Sequence, residues 1–347
     1  MNEKLLRNLY AINSPSGREV RMQNYLLKIL AGIPEVNFWQ DKKGNIYAEK
    51  RSSLVSSEFP CIVAHMDEVH ERPNDCRYTS QRIGGILFGF DMKADKFIGC
   101  GADDKNGIFV ALSCLEKYSH IKAAFFVEEE TGCNGSRDAD MDFFKDCRFV
   151  LQADRRGSSD FIAEASFVDL CSDDFITAVD MTKFGYKKTT GLMTDVMELK
   201  ENGLNVSACN LSCGYYNPHT ENEYTNVAEL ENCLNFVFSI IENCTDVYVH
   251  EYFGHKKPIG NYWSYGYNKP TENYWGYEPK KSESYFDEVT AIRDYIVELY
   301  VQNDDILIED LIEKIEDKFP LADYYTINSA YEEVFGTTIW DENSEAL

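Results

Sequence analysis

Short apolar runs of strand length recur along this chain and constrain its fold more than any other feature. They are CIVAH (61–65), AAFFVEE (123–129), FVLQAD (149–154), FITAVD (175–180) and VSACNLS (206–212). Runs of this length without alternation read as strands buried on both faces, and helix-length stretches such as KNGIFVALSCLEKY and AELENCLNFVFSIIENC lie between several of them. Strands alternating with helices predict an α/β fold, a three-layer sandwich with a mixed, mostly parallel central sheet flanked by helices. In such a sheet, ligands gather at the carboxyl ends of the strands.

The flanking segments frame this core. Leu5, Leu6 and Leu9, then Val20, Met22, Tyr25, Leu26 and Leu30, fall at helical spacing around NSPSGRE, which predicts two helices joined by a turn. VNFWQDKKGNIYAEKR alternates on both sides of Lys43 and Gly44, a hairpin pattern. A catalytic domain is expected over 1–245. After Cys244 the composition changes, and GNYWSYGYNKPTENYWGYEPKK twice repeats Asn-Tyr-Trp, so 246–283 reads as an aromatic linker or arm, with the segment from Tyr262 to Tyr277 as a candidate cover for the site. Phe286, Val289, Ile292, Ile296 and Leu299 share one helical face and Ile308, Leu311, Ile315 and Phe319 another, with a third helix expected after Pro320. Residues 284–347 thus read as a small helical appendage.

Charge and cysteine content exclude several classes of function. Among 347 residues, 59 acidic side chains face 34 basic ones, and the net charge of −25 argues against nucleic acid or an anionic membrane as partner. The 11 cysteines include no Cys-x-x-Cys pair, which suits reduced thiols in the cytoplasm better than a disulfide framework or a cysteine zinc site. The opening MNEKLLRNLYAI is too charged to read as a signal peptide, and no apolar run of about 18 residues could span a bilayer.

Carboxylates and histidines concentrate at the ends of the apolar runs. They are His65 and Asp67 in VAHMDEV, Asp103 and Asp104 in GADDKNG, Glu128, Glu129 and Glu130 in FFVEEETG, Asp154 in LQADRRG, and His219 in YYNPHTENEY. Each alone has an ordinary structural explanation. Together, so many carboxylates at one end of a buried sheet cannot all stay ionised without cations. Oxygen and imidazole ligands without thiolate suit zinc first, and also cobalt or manganese, and the inventory fits two divalent ions sharing one carboxylate.

In order and spacing, HMDEV, GADDKNG, EEETG, a later strand-end Asp and PHTENEY resemble the dinuclear-metal exopeptidases that include tripeptide aminopeptidase (peptidase T) and glutamyl aminopeptidase-like enzymes. SPSGRE and GLMTDVMELKENGLNVSACNLS extend the similarity over approximately residues 1–245. The resemblance implies that His65 and Asp154 hold one metal, that Glu130 and His219 hold the second, and that Asp103 bridges both. It also implies that Asp67 orients His65 and that Asp104 lies behind Asp103 across a cis peptide bond. The family pattern Glu-Glu-x-Gly, fixed here by Gly132, makes Glu129 the general base and leaves Glu128 as a structural residue on the strand. The implied reaction is amide hydrolysis of short peptides by an aminopeptidase.

This sequence departs from the family in lacking room for the lid or dimerisation domain that relatives insert, either between the equivalents of Asp154 and His219 or between those of His65 and Asp103. Any oligomer is therefore expected to form by another route. An open site leaves an amidohydrolase, deacylase or carboxypeptidase as the alternative enzyme, and an inactive scaffold as the alternative outside enzymes.

Overall fold

Asn2 opens the fold by capping its first helix. Its side chain accepts the Leu5 amide hydrogen, and α1 (Glu3–Tyr10) turns Leu5, Leu6, Leu9 and Tyr10 inward. The computed structural model describes residues 1–52 and 58–252, together with scattered positions between 292 and 334. After α1, α2 (Val20–Leu30) buries Met22, Leu26 and Leu30, and β1 (Val36–Gln40) pairs antiparallel with β2 (Ile46–Lys50) in the expected hairpin. Asp41 closes that turn by accepting the amides of Gly44 and Asn45.

The chain then enters the core as β3 (Phe59–His65), buried along its whole length. Three strands that the sequence reading had left unassigned follow: β4 (Tyr78–Ile83), β5 (Ile86–Asp91) and β6 (Lys96–Phe97). Next come α3 (Ala102–Lys117), β7 (Ile121–Phe126), α4 (Asn134–Arg137), β8 (Cys147–Arg155), β9 (Asp160–Ala165) and β10 (Val168–Asp169). The domain closes with α5 (Asp173–Ala178), β11 (Lys187–Gly191), α6 (Asp195–Glu201), β12 (Ala208–Ser212), β13 (Tyr215–Tyr216), β14 (Tyr224–Asn226) and α7 (Val227–Asn243).

A nine-stranded sheet runs β1-β2-β7-β3-β8-β12-β9-β10, with β11 also on β9. The central strands β7, β3, β8 and β12 are mutually parallel, while β1, β2 and β10 pair antiparallel. Helix α3, buried nearly all round, packs on β3, β7 and β8 along with α1 and α7, and α6 packs on β3, β8 and β12. This is the mixed, mostly parallel sheet between helices that the alternation of apolar runs predicts. A second, five-stranded sheet joins β13 and β14 to β5, β4 and β6.

Two local expectations are corrected. Residues 175–180, read as a strand, lie mostly in α5: the Ser172 side chain accepts the Phe175 amide hydrogen and Asp173 and Asp174 occupy the first turn, so capping overrides the apolar run. The strand read over 123–129 ends at Phe126, and Glu128 sits in a turn at φ +54°, where Lys43 pairs with it at 2.8 Å.

The chain divides into two compact units, Met1–Gly260 and Asn261–Leu347. In the second, Ile292, Ile296, Leu299, Leu311, Ile315, Ile327, Ala330 and Tyr331 are helical positions in one buried apolar cluster, with Phe319 packed against it. The segment from Tyr262 to Tyr277, together with Phe286, Val289 and Ile308, lies outside the described residues. Among the described residues no helix is long and apolar enough to cross a membrane. All eleven cysteines are free thiols, and all but Cys76 are buried.

Candidate metal centre

Parallel strands deliver chemistry at one edge of the sheet. His65 ends β3 opposite Phe126, the last residue of β7, so the turn carrying Glu129 and Glu130 begins beside it. Asp154 stands near the end of β8, and β12 leads through β13 to a turn that holds His219 at φ +62°. Asp103 and Asp104 come from the bend that opens α3. Gly101 there has φ +64°, both aspartates have non-helical dihedrals, and the bond between them is cis.

These side chains converge on Asp103. Its Oδ1 lies 3.2 Å from His65 Nε2, and its Oδ2 lies 3.4 Å from His219 Nε2. Asp154 Oδ1 is 3.7 Å from His65 Nε2, and Glu130 Oε2 is 3.1 Å from His219 Nε2. Each Asp103 oxygen thus faces one histidine, with a further carboxylate beside each histidine.

Backbone and side-chain partners fix these groups. His65 Nδ1 donates to the Asp67 carbonyl at 3.0 Å, which leaves Nε2 unprotonated toward the cluster when the ring is neutral. The Asp67 carboxylate accepts the amide hydrogens of Glu129 and Glu130 at 2.9 and 3.1 Å and the Ser16 hydroxyl at 2.8 Å. Gln152 Nε2 donates to Asp154 Oδ2 at 2.9 Å, and Gln152 Oε1 accepts from Thr194 Oγ1 and the Val196 amide.

Two groups of potential ligands have their atoms within 4.8 Å of one another: His65, Asp103 and Glu130, and His65, Asp104 and Asp154. Asp104 is nevertheless committed elsewhere, because its oxygens accept the His65 and Gly107 amides at 3.2 and 2.9 Å. Asp103 is the better shared ligand.

Burial and mutual repulsion shift the titration of these groups. Burial, then neighbouring charge with Asp103 foremost, pushes Asp154 well above the usual carboxylate range, and burial raises Glu129 and Glu130 as well. Burial opposes the His65 imidazolium, but hydrogen bonds to Asp103, Asp154 and Asp67 raise its pKa well above the ordinary value; those to Asp103 and Glu130 carry His219 up to about 11. A site that so penalises its own negative charge favours a bound cation. Glu130 Oε1 is buried with no hydrogen-bond partner, and the donor set is carboxylate and imidazole. The residues present therefore fit divalent metal.

Sequence reasoning missed several supporting groups. Gln152, Asn210 and Thr194 form a buried amide and hydroxyl network beneath Asp154, and Tyr215 reaches Asp154 Oδ1 at 3.4 Å. Glu68, paired with Lys105 at 2.8 Å, and Glu223 lie buried behind the Asp103 bend. All of them lie within the segments quoted above, yet nothing in their spacing separates them from ordinary core or surface polar groups.

No protein-family model matches this sequence, and no curated protein matches it significantly. Solved structures do. A tripeptidase from Staphylococcus aureus superposes with a TM-score of 0.54 at 14% identity over 69% of this chain and 96% of its own. For aminopeptidase PepT from Bacillus cereus the values are 0.54, 15%, 70% and 98%. An aminopeptidase from the archaeon Desulfurococcus kamchatkensis gives 0.55, 15%, 70% and 94%. At such identities the likeness is one of fold, and the fold of this chain is that of these peptidases, in agreement with the resemblance carried by its motifs.

Proposed function

We propose that this chain is a metal-dependent exopeptidase, an aminopeptidase acting on short peptides with a free amino terminus. The observation that carries the reading is the position of Asp103, whose two oxygens face two separate histidine and carboxylate pairs. His65 and Asp154 would hold one divalent ion, Glu130 and His219 the other, and Asp103 both. Two bound ions, zinc foremost, supply Lewis-acid polarisation of a carbonyl and a lowered pKa for water.

Glu129 is the proposed general base. Its amide is fixed by Asp67, its Oε1 accepts the Cys133 thiol at 3.4 Å, and its Oε2 stands 3.9 Å from His65 Nε2. One oxygen is thus held while the other faces the cluster, where it takes a proton from the attacking water and returns it to the leaving amine. Adjacent glutamates divide the labour, Glu130 serving as ligand and Glu129 in proton transfer. An excess of carboxylate also favours a substrate whose free α-ammonium carries positive charge. The buried free thiols suit a reducing, cytoplasmic setting.

The deciding experiment compares one tripeptide with its amino-terminally acetylated form in the presence of zinc, cobalt or manganese. Cleavage of the free form alone is expected. Equal or faster cleavage of the acetylated form would replace this reading with a deacylase or carboxypeptidase on the same centre. Failure to bind metal and to cleave either form would leave an inactive scaffold.

A further inference from the structure

Glu223 belongs to the PHTENEY segment that supplies His219, yet the mechanism above gives it no role. The residue is 1% exposed, and its carboxylate makes two backbone contacts: Oε2 accepts the Gly101 amide hydrogen at 2.6 Å and Oε1 that of Asp103 at 3.1 Å. These amides flank the bend that presents the shared ligand. The bend has little room to move, because a Cβ at Gly101 would lie 2.2 Å from Glu68 Oε2 and 2.5 Å from Lys105 Nζ.

The other end of Glu223 is tied to His219. The Glu223 amide donates to the Thr220 carbonyl at 3.2 Å, His70 Nε2 donates to that same carbonyl at 2.9 Å, and Thr220 Oγ1 donates to the Asn217 carbonyl at 2.9 Å. One closed turn therefore carries a terminal ligand near its start and, near its end, the carboxylate that grips the backbone of the bridging ligand. His65 and Asp154 come instead from β3 and β8, and neither is carried on that turn.

We propose that Glu223 is a positioning residue that sets Asp103 against His219, so that the ion shared by Asp103, Glu130 and His219 depends on it far more than the ion shared by Asp103, His65 and Asp154, two of whose ligands are held by β3 and β8. This rests on the two-metal reading above. The carboxylate is required because two N–H donors need two acceptor oxygens; a glutamine supplies one and turns an NH2 toward the other amide.

The test is zinc titration of the full chain, wild type against Glu223→Gln, with kcat and KM for a tripeptide and thermal unfolding of both metal-free proteins. Wild type is expected to bind two zinc ions. Glu223→Gln should keep one, bind the other about 10- to 100-fold more weakly, lose kcat in step and leave KM within about twofold. His219→Ala should show the same single loss, and the double variant should be no worse than His219→Ala alone. Unchanged zinc binding in Glu223→Gln overturns the proposal, as does equal weakening of both ions with a matching fall in metal-free stability, which marks a merely structural residue. Wild type binding fewer than two ions overturns the two-metal reading itself and the proposal with it. Should Glu223→Gln fail to fold, Glu223→Asp, which keeps both oxygens but shortens their reach, carries the same expectations.

Discussion

The carboxylate of Asp67 accepts the backbone amide of Glu129 at 2.9 Å while standing 3.4 Å from Nδ1 of His65. A single buried side chain thus lies against both the imidazole that faces Asp103 and the turn that carries the proposed base. Asp67 is better described as the organiser of this edge of the sheet than as a partner of His65 alone, since it also accepts the Glu130 amide.

Replacing Glu129 by Gln should preserve that organisation, because the amide contact to Asp67 comes from the backbone. Metal content is expected to stay at the wild-type level while kcat falls about 10²- to 10⁴-fold, the range for removal of a general acid–base group. Elemental analysis alongside tripeptide kinetics measures both. Turnover near wild type would show that the base is misassigned.

Asp67→Asn should behave differently. The new side chain keeps one acceptor oxygen for three donors, Glu129 N, Glu130 N and Ser16 Oγ. Metal affinity should drop about 10- to 100-fold, and kcat with it. Dialysis against a graded zinc buffer would reveal the shift, and unaltered affinity would argue that the Asp67 carbonyl alone orients His65.

Gln152→Ala probes the support under Asp154. Gln152 is fully buried, and its amide serves Asp154, Asp195, Thr194 and the Val196 amide. Truncation leaves several of these without partners, and a loss of about 3 kcal/mol in folding stability is expected. Urea unfolding with and without metal checks it; a loss below about 0.5 kcal/mol would mean that the network relaxes around the gap.

Metal removal should destabilise the wild-type protein. The Asp103, Asp154, Glu129 and Glu130 carboxylates crowd together with little solvent exposure, so the chelated protein must protonate some of them or bear their repulsion. An ion at 100 times its Kd contributes about 2.7 kcal/mol. Calorimetry before and after chelation should show a lower Tm that recovers on adding zinc; an unchanged Tm would count against a native metal.

Away from the site, Lys122 near the start of β7 pairs with Asp146, and the pair sets a pH window for stability. Burial raises the Asp146 carboxyl, but hydrogen bonds from Lys122 and Arg51 outweigh it and hold the pKa below the ordinary value. Its contribution is therefore complete above about pH 4 and fades as pH falls through the lower folded value. Lys122 is raised: burial opposes its charge, and Asp146 more than compensates, so its contribution holds below about pH 10 and is lost above the folded value. Asp146 is partly exposed, so Asp146→Asn should cost only about 1 kcal/mol at pH 7. In urea titrations that difference should shrink between pH 5 and pH 3; a pH-independent difference would assign it to packing.

Much of this molecule was written in local sequence. Unalternating apolar runs determined the buried strands β3, β7, β8 and β12, because a strand covered on both faces has no polar side to show. Acids and imidazoles just past those runs determined the candidate ligands, since parallel strands end on the same edge. The capping of α5 by Ser172 was equally local but was outweighed in reading by the apolar character of Phe175, Ile176 and Val179.

The tertiary structure alone decided the rest. The strands β4 and β6 carry partly or fully exposed side chains with weak alternation, and although β5 pairs locally with both, its other edge is covered only by β14, more than a hundred residues away. Glu223 and Gln152 likewise look like ordinary polar residues in sequence. Glu223 grips the Asp103 bend across 120 residues, and Gln152, only two residues from Asp154, is oriented toward it by Thr194, Asp195 and Val196 more than forty residues away; such long-range partners are chosen by the fold and leave no periodic mark in the chain.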